Sequence, residues 1–519
     1  MSWKDAPQPI AQDRIAETIE ADFVVVGVGV AGSIAATKAT ELGLKTVAID
    51  SRSIMSRGPH WIGAFNSRKM REAGIIHDRA TVVNDLMWHA NYCADQRLIQ
   101  LWFDRSGEMM DWYTDLVEST GELVVAIETA QKDTGGLHMS PATGHVPCLA
   151  PFVTMGPNET GLWRASNILL DHAIELGLDL RWSTRAVQLL QDEHDRIGGV
   201  IAQDADGNYL RINASKGVIL CTGGYIANAE MRHDLNPIQD AATTALRGAT
   251  DRHVGDGIKM ATWVGAGMSE LHWWMDNDRG LPDGSNFTPG SQPWLRTDCY
   301  GNRFCNEDVP YDYGAYVGSL LPSHRFWEIF DSNYWAQMRS FETTICSRAY
   351  PKAGAINSEK VAQSAEEFYH RFMKPVLKKG FMVTAQSIEE LAEAMLSVDD
   401  RMDSATLKKT VERYNELAHK GVDEDFGKLP RRLLPIEKPP YYAVWVGGSA
   451  ICNLDGLRIN ERIQVLNTDG VPIEGLYAAG NDAGGYFGMS YPWYYAGCAC
   501  GFATTFAYLA AVDAARSLD

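Results

Sequence analysis

Four short runs of almost uninterrupted apolar residues stand out along the chain, at residues 24–26, 45–50, 217–224 and 475–480. A strand that is buried on both faces needs apolar side chains at nearly every position, whereas a half-exposed strand alternates. The runs finish at glycines or at an acidic residue, which are common where a strand gives way to a turn. The four runs therefore predict strands of a buried sheet.

Helical periodicity fills several intervals between these runs, and alternating patterns fill others. We predict a strand over residues 178–190 and a hairpin over 195–212. The periodicity predicts helices at residues 33–42, within 80–120, at 165–176 and at about 497–516. Strands that alternate with helices are typical of α/β proteins, and the predicted fold class is α/β with a Rossmann-like domain.

The pattern changes between residues 272 and 450, where aromatic-rich, irregular and helical segments replace the strand signals. Strand signals return at 456–459 and 475–480. We therefore predict a discontinuous domain made of residues 20–271 and 451–519, with an α+β domain inserted at 272–450. Residues 1–19 form an N-terminal extension.

The first apolar run leads into the motif Gly27-x-Gly29-x-x-Gly32, and Asp50 closes the second run. Gly27 permits a tight turn, Gly29 lets the backbone approach a pyrophosphate, and Gly32 lets the following helix pack on the strand. The helix would direct its free N–H groups at the phosphates, and Asp50 could accept from a ribose hydroxyl. The spacing predicts a dinucleotide site.

Composition narrows the class of protein further. The 519 residues include 66 acidic and 47 basic side chains, and the formal charge of −19 disfavours nucleic acid or an anionic membrane as a partner. No apolar run reaches the ~18 residues of a membrane span, and the first residues lack the apolar core of a signal peptide, so we expect a cytoplasmic protein. The nine cysteines are scattered, which favours reduced thiols and no metal site.

Several further motifs occur in a fixed order along the chain. They are Thr184-Arg-Ala-Val187, Thr222-Gly-Gly224, Gly255-Asp-Gly257, Gly301-Asn-Arg-Phe-Cys-Asn-Glu307, and Gly475-Leu-Tyr-Ala-Ala-Gly480. Together with the first glycine motif they resemble the flavoprotein subunits of succinate dehydrogenase and fumarate reductase, over about residues 20–515. The resemblance implies FAD as the dinucleotide, held non-covalently because residues 51–59 contain no histidine. It also implies that the discontinuous domain binds FAD and that the inserted domain caps the substrate.

The resemblance assigns cofactor contacts to particular positions. Asp256 could instead cap a helix that begins at Gly257, and Asn481 replaces the family's ribityl-binding glutamate. The implied FAD contacts are Gly27, Gly29, Ala31, Gly32, Asp50, Ser51, Gly58, Gly63, Ala64, Val187, Thr222, Gly223, Gly224, Asp256, Gly480, Asn481 and Tyr495.

The dicarboxylate clamp of fumarate reductases is missing from this chain. Tyr311 stands where the family has its proton-donating arginine, Tyr491 replaces a second arginine, and Cys452 falls near the carboxylate-binding histidine. Arg279 is a candidate for the remaining arginine. Without paired guanidinium groups, a dicarboxylate would be poorly held.

The two tyrosines are instead similar to those of the 3-ketosteroid dehydrogenase branch of the same superfamily. That branch implies proton exchange at Tyr311, a hydrogen bond from Tyr491 to the substrate carbonyl, and a backbone N–H contact at Tyr495. The side chain of Tyr495 would enter the site or pack away from it. His60 is a further catalytic candidate. Each tyrosine taken alone could also be a packing residue.

The motifs together predict an FAD-dependent oxidoreductase that adds or removes two hydrogens across a carbon–carbon bond. That bond would be conjugated to a carbonyl or aryl group of a ring-containing, steroid-like or phenolic substrate. The alternatives are a fumarate-reductase-like reductase of an unsaturated acid and a non-catalytic electron-transfer flavoprotein. The sequence gives neither the direction of the reaction nor the electron donor or acceptor.

Overall fold

The computed structural model of the chain describes residues 2–55, 60–130, 141–149, 161–246, 252–309, 311–341, 349–351, 356 and 361–516, apart from the side chains of Tyr311 and Asp312. Its strands are β1 Ile15–Val26, β2 Thr46–Ile49, β3 Ile62–Gly63, β4 Val124–Ile127, β5 Gly144–Cys148, β6 Asp179–Arg181, β7 Arg185–Gln191, β8 Ile197–Gln203, β9 Tyr209–Leu220, β10 Thr243–Leu246, β11 Trp274–Gly280, β12 Leu295–Thr297, β13 Phe326–Asp331, β14 Met382–Ala385, β15 Tyr441–Asn453, β16 Gln464–Leu466 and β17 Pro472–Ala478.

The helices lie between these strands and on the faces of the sheets. They are α1 Val30–Glu41, α2 Arg68–Glu72, α3 Arg79–His89, α4 Gln96–Ser119, α5 Gly161–Glu175, α6 Ala229–Leu235, α7 Pro237–Ala242, α8 Asp256–Trp263, α9 Tyr311–Ser319, α10 Tyr334–Phe341, α11 Ala365–Phe368, α12 Lys374–Lys379, α13 Ile388–Leu396, α14 Ser404–Lys420 and α15 Cys498–Arg516.

The largest sheet contains all four apolar runs of the sequence. Its strand order is β16-β17-β9-β1-β2-β6, with β8 added to β9 and β7 to β8. Strands β2, β1, β9 and β17 run parallel, and Val24 pairs with Val47 on one side and with Val218 on the other. Because β1 has a later strand on each side, its carboxyl end is a topological switch point, where α/β proteins bind ligands.

Two predicted elements of this region have different limits in the structure. The first helix begins at Val30, three residues before the predicted start, because Gly29 is its N-cap. The predicted strand 178–190 is two strands, β6 and β7, because Ser183 between them has a φ of 53°. A positive φ interrupts an extended chain at any residue other than glycine.

The long strand β15 is the centre of a second sheet. It pairs with β10, β11, β13 and β14, while β12 pairs with β13. The sequence patterns predicted irregular and helical segments of an α+β domain here; helices α9 to α14 are present, whereas the positions of strands β11 to β15 were not predicted. Strand β11 is buried along its whole length although it carries Asp276, Asn277, Asp278 and Arg279, so it shows neither alternation nor an apolar run. The predicted α/β fold class with an α+β insertion is confirmed, while the domain boundaries stay a prediction.

Helix α1 packs against α5 and α15, which brings a helix near residue 500 onto the first helix of the sheet. Among the described residues, only α15 is long and apolar enough to cross a membrane, and 67% of its most apolar window is buried inside the structure.

Candidate cofactor and substrate site

The first glycine motif forms a tight turn between β1 and α1. Gly27 has a φ of 92°, and a Cβ there would lie 2.4 Å from the carbonyl oxygen of Cys221. A Cβ at Gly32 would lie 1.9 Å from the carbonyl oxygen of Gly27. Because Gly27 and Gly32 have no side chains, β1, β9 and α1 can approach each other closely. The amino end of α1, with Gly29 and Ala31, lies at the switch point.

Asp50 follows β2 and is almost fully buried. Its Oδ2 accepts from the backbone N–H of Val28 at 2.7 Å, and its two oxygens also bind the Arg52 guanidinium and backbone N–H. These four donors fill the usual acceptor positions of a carboxylate. A ribose hydroxyl would therefore take the place of Arg52, whose side chain is partly exposed beside Ser51.

The loop after β9 is tied to a carboxylate that the sequence motifs did not single out. Asp482 accepts from the backbone N–H of Thr222 and Gly224 and from the Thr222 hydroxyl. Burial raises the pKa of Asp482 to about 6. The bonds join two segments 260 residues apart in the sequence, and the sequence signal was an acid two residues after Gly480 of the C-terminal glycine motif.

Gly223 and Gly224 both have positive φ values, and each lies against a side chain. A Cβ would come within 2.6 Å of the His253 ring at Gly223 and within 1.9 Å of the Asn453 amide oxygen at Gly224. Asn453 also donates to the carbonyl oxygen of Asn481 at 2.7 Å. The two glycines therefore allow the His253 and Asn453 side chains to pack against this end of β9.

The C-terminal glycine motif meets the beginning of α1. A Cβ at Gly480, where φ is 69°, would lie 3.4 Å from the Cβ of Ala31. The next residue, Asn481, has its side-chain nitrogen 3.5 Å from the carbonyl oxygen of Gly223. The two motifs that the resemblance assigned to one cofactor are thus adjacent in space.

The segment around β3 lies against the turn that precedes α15. Gly63 donates to the carbonyl oxygen of Gly497 at 2.8 Å, and Ala64 donates to that of Thr143. His60 is half-buried and packs edge-on against Trp61. Gly58 lies outside the described residues.

Val187 and Asp256 lie on neighbouring elements, β7 and α8. Val187 is half-buried in the strand. Asp256 is the first residue of α8 and follows the N-cap Gly255, so the predicted helix start at Gly257 is one residue late. The Asp256 carboxylate binds the Arg185 guanidinium at 2.7 and 2.8 Å, which links α8 to β7.

The candidate tyrosines lie at the start of α9 and in the loop before α15. Tyr311 is the first residue of α9, and its side chain is outside the described part. The buried Tyr491 accepts through its hydroxyl from the backbone N–H of Ala499, in the first turn of α15, at 3.3 Å. Tyr495 is fully buried, its hydroxyl donates to Asp85, and its backbone N–H donates to the carbonyl oxygen of Pro492.

A cleft lies where α7, α9 and β11 face the loop at residues 489–490. Four aromatic side chains line it, namely Trp273, Trp274, Tyr313 and Tyr316. Trp273 packs edge-on against Tyr316, and the Tyr313 hydroxyl lies 3.2 Å from Nδ1 of His89. Ser490 also lines the cleft and precedes Tyr491, so the cleft adjoins one of the catalytic candidates.

The residues at the switch point fit a dinucleotide. The helix start, the side-chain-free turns at Gly27, Gly223 and Gly480, and the acid at the tip of β2 provide amide donors, space and a ribose acceptor. A Cβ at Gly27 or Gly223 would collide with Cys221 or His253, so these glycines let the segments pack closely around the switch point.

Comparison with known proteins agrees with this geometry. A family model described as FAD binding domain matches residues 22–314 and 330–501. A vinyl phenol reductase of Lactiplantibacillus plantarum is 29% identical to this chain over 492 residues, which cover 91% of each chain. A probable fumarate reductase, Ifc3, of Shewanella frigidimarina is 26% identical over 506 residues, covering 94% of this chain and 75% of that protein.

The fold is also similar to that of a solved steroid enzyme. The crystal structure of a 3-ketosteroid-Δ4-(5α)-dehydrogenase from Rhodococcus jostii, in complex with 4-androstene-3,17-dione, superposes with a TM-score of 0.73 at 20% identity, covering 98% of this chain and 99% of that one. With the family model matching most of its length, the chain belongs to the FAD binding domain family and is an FAD-dependent oxidoreductase that acts on CH–CH groups.

Proposed function

We propose that the enzyme adds or removes two hydrogens across a carbon–carbon bond conjugated to an aryl or carbonyl group of a ring-containing substrate, phenolic or steroid-like. The observation that carries this proposal is the aromatic cleft beside Tyr491, which suits a flat ring system. The vinyl phenol reductase similarity over most of both chains supports a phenolic substrate and the direction of reduction.

Bound FAD supplies the two-electron chemistry at its N5. Tyr311 exchanges a proton with the substrate carbon next to the one that exchanges hydride with N5. This role suits a phenol, whose ordinary pKa is about 10. The Tyr311 backbone opens the helix that carries Tyr313 and Tyr316 into the cleft, which supports a position for Tyr311 close to the substrate.

Tyr491 polarises the oxygen that activates the substrate. The Ala499 N–H fixes the phenol oxygen in the first turn of α15. The positive end of a helix dipole favours negative charge on that oxygen, which strengthens a hydrogen bond from its hydroxyl to the substrate. His60 stays a secondary candidate on the other side of the turn at Gly63 and Gly497.

The residues that line the described part of the cleft include no arginine, lysine or histidine. A dicarboxylate there would lose its hydration without gaining a paired cation. This disfavours an unsaturated diacid as the substrate. The presence of this cleft likewise favours a catalyst over an electron-transfer protein, which needs no substrate site.

The test is anaerobic photoreduction of the purified flavoprotein followed by mixing with candidate acceptors. We expect reoxidation of the flavin by 4-vinylphenol or by a steroid enone, and none at an ordinary enzyme rate by fumarate. Rapid reoxidation by fumarate, or none by any ring-containing acceptor, would refute the proposed substrate class.

We further propose that the protein works in the cytoplasm with a separate electron donor or acceptor.

A further inference from the structure

A buried carboxyl group lines the cleft, and the proposed mechanism does not use it. Asp276, in β11, is 5% exposed. Its Oδ2 lies 3.1 Å from the Gln239 amide nitrogen and 3.2 Å from the Thr243 hydroxyl. Its Oδ1 is buried and has no hydrogen-bond partner among the residues that the structure describes.

The surroundings hold this carboxyl in one orientation. The Gln239 amide is itself fixed at both ends, because its nitrogen donates to the Trp274 carbonyl oxygen at 2.7 Å and its oxygen accepts from the Trp274 N–H at 3.2 Å. On another side, a Cβ at Gly448 would lie only 3.0 Å from Oδ2 of Asp276. The carboxyl thus has one oxygen anchored, and it has little room to turn.

In the part of the chain that the structure describes, no cation forms an ion pair with this carboxylate. The basic group that acts on its charge is Arg232, whose guanidinium already binds Asp240 and the carbonyl oxygen of Ile226. Burial raises the pKa of Asp276 to about 7. Near neutral pH a large share of the molecules therefore carries a protonated carboxyl, which can both donate and accept a hydrogen bond.

We infer that Oδ1 of Asp276 is the hydrogen-bond partner of a hydroxyl group on the ring of the substrate, and that Asp276 selects hydroxyl-bearing rings over those without one. This inference rests on the proposed function, because it names the substrate class of the same cleft. The aromatic side chains would hold the ring, and a ligand lacking the hydroxyl would leave the buried carboxyl unpaired. A site built to pair a polar group discriminates strongly against an analogue that lacks it.

Binding of saturated ring ligands to the FAD-loaded enzyme, with no electron acceptor present, tests the inference without sustained turnover. Dissociation constants of 4-ethylphenol, ethylbenzene and 4-methylbenzylamine would be measured by calorimetry and by perturbation of the flavin spectrum. We expect wild-type enzyme to prefer 4-ethylphenol over ethylbenzene by about tenfold or more, the worth of one well-made hydrogen bond. Asp276→Leu should bring this ratio to within about threefold while ethylbenzene binds as before.

Two variants accompany this one. Asp276→Asn keeps a donor and an acceptor in the same place and should retain most of the preference. Asp283→Asn changes an acid on the nearby turn, outside the cleft, and should leave the ratio at the wild-type value. Flavin content and the melting temperature report whether each variant is folded.

The outcomes separate the inference from the function on which it rests. Ring ligands that bind to wild type with no hydroxyl preference, or a preference that survives Asp276→Leu, overturn the role of Asp276 alone. The wild-type ratio decides this even if Asp276→Leu fails to fold. Tighter binding of the amine than of the phenol would overturn it too, since Asp276 would then be an anionic partner for cations. Binding of none of the three ligands would refute the proposed substrate class together with the inference.

Discussion

At the scale of single residues, the proposed active site has phenols at the positions where the family resemblance places guanidinium groups. A phenol can exchange a proton and donate a hydrogen bond, but it cannot pair with a carboxylate as a guanidinium does. In Tyr491 the hydroxyl is anchored to α15 through Ala499, so the ring position and the hydrogen bond are separable functions of the same side chain. Removing only the hydroxyl, as in Tyr491→Phe, therefore tests the hydrogen bond while the ring still fills its position.

We predict that Tyr311→Phe lowers kcat by ~10²–10⁴-fold, the usual loss of a general acid or base. Tyr491→Phe should lower kcat by roughly 10²–10³-fold, as for one lost donor to a developing oxyanion. Stopped-flow reoxidation of the reduced flavin measures both effects. The double variant should lose less than the sum of the two free energies, because both residues act on one transition state.

Tyr300→Phe provides the matched control, since Tyr300 is 43% exposed and lies outside the cleft. It should leave the rate at the wild-type value. Near-wild-type rates in Tyr311→Phe and Tyr491→Phe would mean that these tyrosines only pack.

Asp276 also has a measurable effect on stability. Its pKa rises from an ordinary 3.8 to about 7 in the folded protein, so well below pH 3.8 the group is neutral in both states and costs nothing. As the pH rises to about 7, the unfolded chain gains by ionising while the folded protein does not, which lowers the free energy of unfolding by up to roughly 4 kcal/mol.

We therefore predict that Asp276→Asn is more stable relative to wild type near pH 8 than near pH 4.5. Urea unfolding of both proteins at the two pH values measures the difference, in which the contributions of other buried acids such as Asp482 and Glu328 cancel. An equal difference at both pH values would contradict the pKa shift.

The sequence predicted residues whose function is local and missed those whose function depends on distant contacts. The glycines of the first motif and Asp50 were recognisable because the turn, the helix and the second strand follow one another in the chain. Asp482 and Asp276 were not, because their partners Thr222 and Gln239 come from segments that only the fold brings near. Nothing in the neighbourhood of Asp276 in the sequence distinguishes it from Asp278, two residues later.

At the scale of elements, the same contrast separates the two sheets. The strands of the parallel sheet are buried on both faces by helices and are therefore readable as apolar runs. Strand β11 is equally buried but carries polar and charged side chains that pair within the protein, so neither of the usual patterns appears. Among the contacts between elements, the packing of α1 on β1 was predicted best from the sequence, because a glycine at position 32 allows it.

We predict that Gly32→Ala weakens both folding and FAD binding. Its Cβ would lie 1.9 Å from a backbone oxygen, which cannot move as a flexible side chain would, so α1 must shift away from β1. Forced overpacking of this kind costs roughly 1–3 kcal/mol or more. Urea unfolding of the apoprotein and the ratio of flavin to protein after gel filtration measure the two effects.

Gly198→Ala is the control for this change, because Gly198 has an ordinary φ and only the tip of Arg196, 3.7 Å away, near its hypothetical Cβ. It should retain wild-type stability and flavin content. If Gly32→Ala matched it, the close packing of α1 on β1 would not matter for the site.

At the scale of the whole molecule, the candidate cofactor site draws on several separate parts of the chain, including residues 27–50, 185–187, 222–224 and 480–497. The described contacts among them are hydrogen bonds and close packing of glycines, and they hold the cofactor site together without any covalent link. The residues of the flavin loop, 51–59, include no histidine that could attach to FAD.

We predict that acid precipitation of the enzyme releases all of its FAD into the supernatant. The absorbance spectrum and the mass of the released flavin check this. Yellow colour that stays with the pellet, or a protein mass increased by that of FAD, would show a covalent bond.

The meeting of α1 with α15 and of Gly480 with Ala31 has a consequence for biosynthesis. A ribosome makes the first glycine turn more than 400 residues before it makes the turn at Gly480, so the nascent chain carries half a nucleotide site for most of its synthesis. Strand β9 also waits for β17 as its neighbour until then. Loading of FAD must therefore follow release of these late segments from the ribosome, and the apoprotein is an obligatory species in the life of every molecule.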